Sequence, residues 1–268
     1  MKNRTLFYRT NRAIKVIAMA IGIALATSLA GCQAPQPPGP SLQNGYQVYE
    51  SHNYSEAQTA AQQYIQSHPQ GPNLDEAYYL AAISEEAQGN IPGARTDYRR
   101  AIAQSHRPDL LSKSYKALGD MTYTHGHYKR AISDYRRSLR ANPAARPASG
   151  LLFRLGVSLQ NMGQWQKGGI YLSRLQTLYP NTAPARAATP RLSQNHFTLQ
   201  FGAWAIPAAA WRQVAALQQG GVAARVVPAS IGGRTLYLVQ SGVYTTYAAA
   251  LAARSTLAGK FPQMIITP

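Results

Sequence analysis

The chain has 268 residues and a formal net charge of +17, with 27 Lys or Arg, 10 Asp or Glu and one cysteine. A single cysteine excludes both an intrachain disulfide framework and a metal site built on several thiolates. The charge is uneven: residues 32–134 hold 8 basic and 10 acidic residues, whereas residues 135–268 hold 14 basic residues and no Asp or Glu. The C-terminal half therefore favours an anionic partner, although a basic surface can also serve solubility alone.

The pattern of residues 1–31 predicts an export leader. Basic residues precede an apolar, uncharged run, Val16–Leu29, which at about 14 residues is shorter than the roughly 20 that a membrane-spanning helix needs. Residues 29–32, Leu-Ala-Gly-Cys, resemble the lipobox of bacterial lipoproteins. This resemblance implies lipid attachment at Cys32 after cleavage, and Gln33 in place of Asp implies an outer membrane lipoprotein facing the periplasm. The alternative is an uncleaved anchor helix.

The sequence predicts a proline-rich tether at residues 32–41, of which residues 33–40 would span roughly 25 Å at about 3.1 Å per residue. Residues 42–180 then repeat with a period of 37. Three sets of residues keep this step: Gly45, Ala82, Gly119 and Gly156; Ala57, Ala94, Ala131 and Gly168; Pro69, His106, Pro143 and Pro180. Small residues at fixed spacing let paired helices approach closely, and a proline stops the second helix.

The repeat resembles the tetratricopeptide (TPR) motif, whose usual period is 34. This resemblance implies an all-α superhelix of four helix-turn-helix units, each of 37 residues, with a concave groove for a protein partner. By the same resemblance, the following first-helix residues would line a peptide groove: Tyr79, Ile83, Lys116, Tyr123, Phe153, Val157 and Gln160. The alternative left open is that several of them pack against the neighbouring unit.

Two histidines, His125 and His127, suggest a metal site at first sight. They flank Gly126, which has the same phase as Gly89 and Gly163 in the predicted turns. No nearby cysteine or carboxylate pair completes a ligand set. No metal and no cofactor are therefore expected.

The periodicity changes after a linker at residues 181–195. Residues 196–268 predict strands at 196–202, 222–227, 235–241 and 263–267, with helices at 208–219 and 247–257. The order βαββαβ is that of a small α+β, ferredoxin-like domain with two helices on one face of the sheet and the other face open.

Two segments of this domain, 40 residues apart, share the pattern Gln-x-Gly-x-aromatic: Gln-Phe-Gly-Ala-Trp at 200–204 and Gln-Ser-Gly-Val-Tyr at 240–244. Together with the element order they resemble the SPOR domain, which binds peptidoglycan glycan strands that have lost their stem peptides, as found at division septa. The glycan-binding residues expected from this resemblance are Thr198, Gln200, Trp204, Gln240 and Tyr244. Amides and hydroxyls exchange hydrogen bonds with sugars, and aromatic rings pack on pyranose faces. The alternative for the two aromatic residues is a core role at the strand ends.

Two departures qualify this resemblance. Leu238 stands where the SPOR family often has Arg, and Val243 where Pro is usual. RNA-binding RRM folds share the element order, but they need aromatic residues on the central strands, where this chain has Leu236, Leu238 and Gln240.

The sequence predicts a binding protein and not an enzyme. No Ser-His-acid arrangement is present, and residues 196–268 contain no carboxylate that could serve as an acid or base. The predicted partners are peptidoglycan glycan strands, the membrane through the lipid anchor, and an envelope protein in the groove; nucleic acid is not expected in an exported protein. The alternative is an envelope assembly or secretion scaffold whose small domain has lost glycan binding.

Overall fold

The computed structural model describes residues 42–268, which belong to one compact unit. The predicted leader, Cys32 and the tether lie outside the described residues.

Residues 42–178 fold into four helical hairpins, which confirms the predicted helix-turn-helix units. Their helices are α1 (Leu42–Glu50) and α2 (Tyr54–Ser67), α3 (Leu74–Ala87) and α4 (Ile91–Gln104), α5 (Pro108–Thr124) and α6 (Tyr128–Ala141), and α7 (Ser149–Asn161) and α8 (Trp165–Leu178). The second helix of every hairpin begins 37 residues after the previous one, at Tyr54, Ile91, Tyr128 and Trp165. The sequence period is thus the period of the structure.

The phased small residues have the packing role that the repeat predicts. A side chain added at Gly119 would lie 2.7 Å from the Tyr135 ring, and one added at Gly156 would lie 2.6 Å from Leu172. Each glycine therefore lets the two helices of its hairpin approach closely. Gly126 and its equivalents in the turns adopt positive φ, 72° at Gly126, which glycine reaches without steric cost.

The hairpins lead into a short connection and then the sheet domain. Helix α9 (Ala183–Ala188) and a 3-10 turn (Thr189–Arg191) pack against the last hairpin. The sheet domain contains β1 (Phe197–Trp204), α10 (Pro207–Gln219), β2 (Arg225–Ile231), β3 (Arg234–Tyr244), α11 (Tyr247–Leu257) and β4 (Ile265–Thr267). This confirms the βαββαβ order.

The four strands form an antiparallel sheet in the order β2-β3-β1-β4. Leu199, Phe201 and Val239 form its core together with Val214 and Leu217 of α10. Helix α11 packs against the same face through Ala253 and Leu257. Both helices therefore cover one face, as the sequence predicts.

Strands β2 and β3 are longer than the alternating pattern indicates. Gly232 and Gly233 both have positive φ, 60° and 76°, so they make a two-residue turn and the strands pair up to Ile231 and Arg234. Pro228 lies within β2, which tolerates proline because β2 is an edge strand. The predicted strand ended at Val227, directly before this proline.

The last hairpin and the sheet share a buried cluster. The Trp165 side chain is 8% exposed, and its ring centroid lies 4.8 Å from that of Phe197. Its indole Nε1 donates a hydrogen bond of 2.8 Å to the Thr245 carbonyl. Ala250 of α11 completes this cluster, so the repeats and the sheet domain pack directly against each other.

Candidate functional site

The face of the sheet opposite α10 and α11 is the candidate glycan-binding surface, called here the open face. The strand register places four residues side by side across it, one from each strand: Arg225, Gln240, Gln200 and Ile265. At about 4.8 Å between strands, this row is roughly 14 Å long. Gln200 and Gln240, predicted from sequence, are therefore direct neighbours.

The polar groups of this row are available to a ligand. Gln200 and Gln240 are partly exposed, and Arg225 is exposed. Within residues 42–268, none of these three side chains has a hydrogen-bond partner. A neutral amide offers both a donor and an acceptor, so the pair can exchange hydrogen bonds with hydroxyl groups.

An apolar row lies beside the polar one. Val227, Leu238 and Ala203 are paired across β2, β3 and β1 on the same face. Leu238, which stands where the SPOR family often has Arg, is 9% exposed. None of the paired open-face residues of the four strands is aromatic, so this sheet lacks the stacking platform of an RRM fold.

Thr198 lies on the open face but is not exposed. Its side chain is 3% exposed, and its hydroxyl is hydrogen-bonded to that of Thr267 at 2.9 Å. This contact joins β1 to the short strand β4. Its position favours a structural role over contact with a ligand.

Trp204 and Tyr244 lie on the opposite side from the two glutamines, because of strand irregularities. The pairing of β1 and β3 shifts register between Gln200 and Gly202, and again between Phe197 and Leu199. Each shift adds one residue to one strand and so reverses which face the following side chains occupy. Both aromatic rings pack against the core cluster, and each lies over the glycine two residues before it.

Arg225 is the polar residue of the row that the sequence-based prediction missed. The signal was the Gly232-Gly233 turn: once Ile231 pairs with Arg234, the register of the hairpin brings Arg225 opposite Gln240. The guanidinium adds a cation to an otherwise neutral row.

The predicted peptide groove is less open than the sequence suggests. Tyr79 and Ile83 pack against a buried cluster around Tyr98, and burial raises the pKa of the Tyr79 hydroxyl to about 12. Phe153 packs against the core of the last hairpin, and Val157 is 3% exposed. These placements match the alternative in which several of these residues pack against their neighbours.

Lys116 and Tyr123 belong to a charged network between the third and fourth hairpins. Its centre is Asp120, which accepts hydrogen bonds from Lys116 (2.8 Å), Arg154 (2.6 Å) and the Tyr135 hydroxyl (2.7 Å). The Arg154 guanidinium also lies 5.8 Å from the Tyr123 ring centroid. Burial opposes ionisation of Asp120, but the bonds from Lys116, Arg154 and Tyr135 together hold its pKa below the ordinary value.

The C-terminal end of the groove is filled by the chain itself. Gln160 is 1% exposed, and its amide nitrogen donates to the Arg191 carbonyl at 3.0 Å. The Arg191 guanidinium in turn donates to the Gln160 side-chain oxygen at 3.3 Å. Burial lowers the pKa of Arg191, and nearby Tyr123 and Tyr128 oppose this effect. Gln160 therefore binds the connection that follows the repeats.

His125 and His127 lie in an exposed turn, where their rings stack with centroids 6.5 Å apart. The His125 Nδ1 atom is 2.8 Å from the Met121 carbonyl. Among the described residues, no cluster of three or more histidine, cysteine or acidic residues could hold a metal ion. In that same part of the chain, no helix is both long and apolar enough to span a membrane.

Three family models match separate parts of the chain. The SPOR domain matches residues 193–267, the family YfiO, described as outer membrane lipoprotein, matches residues 33–115, and a tetratricopeptide repeat matches residues 151–182. These are binding and scaffold domains. No curated protein sequence matches the chain.

Solved structures with similar folds cover a little over half of this chain. A tetratricopeptide repeat protein from Parabacteroides merdae ATCC 43184 is 14% identical, with 56% of this chain and 57% of that chain covered and a TM-score of 0.47. PilW, a widely conserved type IV pilus biogenesis factor, is 15% identical, with 55% and 65% covered and a TM-score of 0.46. MamA AMB-1 is 19% identical, with 56% and 81% covered and a TM-score of 0.43. The chain thus spans less than two thirds of the length of the first two.

The hairpins with a 37-residue period, the βαββαβ sheet and the family matches agree. The chain combines helical repeats that match the tetratricopeptide repeat at residues 151–182 with a C-terminal region that matches the SPOR domain, and residues 33–115 match a family of outer membrane lipoproteins.

Proposed function

We propose that this protein binds peptidoglycan glycan strands through the open face of its SPOR domain, without catalysis, while its repeats act as a scaffold for an envelope protein. The observation that carries the proposal is the row Arg225, Gln240 and Gln200, whose side chains lie side by side and have no hydrogen-bond partner within residues 42–268.

The chemistry of the row suits a glycan without stem peptides. The two amides can each donate to and accept from sugar hydroxyls. Removal of the stem peptides by an amidase leaves a carboxylate on the sugar, which the Arg225 guanidinium can pair with through charge-assisted hydrogen bonds. The apolar row of Val227, Leu238 and Ala203 offers a surface for the ring faces.

The other predicted glycan contacts have a supporting role in this proposal. Thr198 holds β4 beside β1 through Thr267, and Trp204 and Tyr244 fix the strand ends against the core. They keep Gln200 and Gln240 in position and do not touch the sugar.

The proposal places the protein at the outer membrane, facing the periplasm, with Cys32 as its lipidated first residue. The match to outer membrane lipoproteins supports this placement, since it begins at residue 33, directly after Cys32. Two or three acyl chains bind a membrane firmly, whereas one binds it only marginally.

Retention on purified sacculi tests the glycan site. The full-length chain in detergent should sediment with amidase-treated, peptide-free sacculi, and Gln200→Ala/Gln240→Ala should weaken retention at least about tenfold. Each lost hydrogen bond is worth about 0.5–1.5 kcal/mol, and about 1.4 kcal/mol corresponds to a factor of ten. Arg225→Ala should weaken retention on peptide-free sacculi more than on intact ones.

The matched control is Gln218→Ala/Gln219→Ala, which removes two exposed glutamines at the end of α10, outside the open face. This control should bind like the unmodified chain. Equal loss in both double variants would show that the site lies elsewhere.

A second candidate is an envelope scaffold whose SPOR domain no longer binds glycan. The buried Leu238, in place of the usual Arg, is the observation that favours it. Failure of the unmodified chain to sediment with peptide-free sacculi would favour this candidate.

A further inference from the structure

A cleft with arginines on both walls opens between the second and third hairpins. Its walls are α4, with Arg95 and Arg99, and α6, with Arg130 and Arg137, and its volume is about 390 Å³. The floor comes from α5 and includes Tyr115 and Leu118. These residues define the Arg-lined cleft, whose walls are the second helices of two hairpins, whereas the predicted groove belongs to the first helices.

The cleft carries more positive charge than its own carboxylate can neutralise. Asp134 is the single acidic residue among its lining residues, and its nearest ion-pair contact is 3.9 Å, to Arg137. Burial raises the pKa of Asp134, and the charges of Arg137, Arg99 and Arg130 oppose that rise. Four guanidinium groups therefore surround one carboxylate, which leaves a local charge of about +3 at neutral pH.

Arg95, on the α4 wall of the cleft, has an unsatisfied donor. Its Nε atom is buried and has no hydrogen-bond partner within the described residues. A buried donor without a partner costs about 1–3 kcal/mol, so a bound acceptor at this position would offset that cost. No comparable compensation comes from solvent, since the atom is not exposed.

The spacing of the arginines distinguishes an extended ligand from a single small anion. Arg95 and Arg99 are one helical turn apart, about 6 Å along the helix axis, and Arg130 and Arg137 are two turns apart, about 10.5 Å. In an extended peptide, alternate side chains on one face are about 6.6 Å apart. Carboxylates at alternate positions therefore match the arginine spacing, whereas one phosphate would reach only part of it.

The floor of the cleft favours a peptide over a lipid surface. Ile102 and Leu118 provide apolar contacts between the charged walls, and the Arg137 guanidinium lies 5.8 Å from the centroid of the Tyr115 ring. Apolar atoms of a bound peptide would pack on these residues. A flat bilayer surface cannot enter a cleft between two helices.

We propose that the Arg-lined cleft binds an extended, acidic peptide segment of a partner protein, with carboxylates at alternate positions. The proposal deepens the scaffold role of the repeats by assigning the partner to this cleft and giving its chemistry. It does not depend on glycan binding by the open face.

Fluorescence anisotropy with a labelled probe tests this proposal. The probe is a fluorescein-labelled peptide of alternating Glu and Leu, titrated with the full-length chain in detergent at low ionic strength and at about 0.15 M. The charge-reversal variant Arg99→Glu/Arg130→Glu should bind at least about tenfold more weakly, because like charges in a contact are strongly unfavourable. Both arginines are exposed, so the fold should be retained.

Two controls distinguish binding in the cleft from binding through the overall positive charge of the protein. Arg174→Glu/Arg212→Glu makes the same charge change on α8 and α10, at exposed positions outside the cleft, and should bind the probe like the unmodified chain. A peptide with Gln in place of Glu should bind at least about tenfold more weakly than the probe.

A third variant, Arg95→Met, keeps the aliphatic packing but removes the buried donor. Its thermal stability should be unchanged or higher, while its affinity for the probe falls about three- to tenfold, as expected for one charged hydrogen bond. This combination distinguishes a binding residue from a structural one.

The proposal fails if the two charge-reversal variants lower the affinity for the probe equally, since binding would then reflect net charge. It also fails if millimolar inorganic phosphate displaces the probe completely, which would indicate a small-anion site. Preferential, cleft-dependent binding to phosphatidylglycerol vesicles over the probe would assign the cleft to a lipid headgroup instead. None of these measurements involves peptidoglycan, so their outcome is independent of the sacculus test.

Discussion

At the scale of single residues, packing explains the Gly-x-aromatic pattern that occurs twice in the SPOR domain, at 202–204 and at 242–244. The ring of Trp204 lies over Gly202 and the ring of Tyr244 lies over Gly242, each occupying the space where a side chain of the glycine would be. The glycine and the aromatic residue thus form one unit at each strand end. The spacing in the sequence reflects this contact.

The variant Gly202→Ala tests this packing unit. The added methyl group would overlap the Trp204 ring, so the ring has to move, and overpacking of this kind costs about 1–3 kcal/mol. We expect a lower free energy of unfolding in urea and an altered tryptophan emission spectrum. Gly259→Ala is the matched control, because a methyl group there meets no atom within 4 Å. Similar destabilisation by both substitutions would contradict the packing account.

Sequence alternation predicted Gln200 and Gln240 on the open face but could not place the two aromatic residues. In a regular strand, Gln200 and Trp204 would share a face, since they are four residues apart. The irregular pairing between Gln200 and Gly202 reverses this relation. An extra residue in one strand is a property of the pairing, so a single strand's sequence does not reveal it.

At the scale of elements, the 37-residue period predicted the helical hairpins but not the contacts between them. Asp120 of α5 joins Arg154 of α7, and Arg107 joins Asp75 (3.1 Å) and Glu76 (3.0 Å) of α3. None of these three ion pairs repeats at a 37-residue step. The period defines how each hairpin folds, whereas these irregular charges hold one hairpin to the next.

The Asp120 network predicts a specific dependence of stability on pH. Because its folded-state pKa is lowered, Asp120 contributes stability above its unfolded pKa of about 3.9, and this contribution is lost as the pH falls through the folded value. Asp120→Asn should therefore lower the free energy of unfolding by about 1–3 kcal/mol at pH 7 and by progressively less below pH ~4. Urea denaturation of both proteins between pH ~3 and ~7 measures the difference.

Asp109→Asn is the control for this pH series. Asp109 is 61% exposed and lies 3.9 Å from Lys113 on the same helix, so its removal should change stability by less than about 0.5 kcal/mol. A difference between the unmodified chain and Asp120→Asn that stayed constant over the whole pH range would contradict the role of the ionised carboxylate.

At the scale of the whole molecule, the repeats and the SPOR domain meet at Trp165. This residue is the first of α8, the second helix of the last hairpin. The same position is held by Tyr54, Ile91 and Tyr128 in the earlier hairpins. Its indole contacts a carbonyl 80 residues further along the chain. Periodicity and motifs describe neighbours in sequence, so they predicted both domains but not the surface that joins them.

Substitution of Trp165 should uncouple the two domains. Trp165→Ala removes a large buried side chain, a change that costs about 3–5 kcal/mol, and it deletes the contact with Phe197. Scanning calorimetry should show two transitions in place of one, because cooperative unfolding requires a shared interface. Trp211→Ala is the control, since that ring is 58% exposed on α10. A single transition in Trp165→Ala would show that other contacts couple the domains.

The shared interface at Trp165 has a consequence for avidity. With the open face and the Arg-lined cleft in one compact unit, a peptide held in the cleft stays within a few nanometres of a sugar chain held on the sheet. Their effective concentration would then be on the order of millimolar without any contact between the two ligands. A partner that also contacts the wall itself would then need only weak affinity for each surface to be retained firmly.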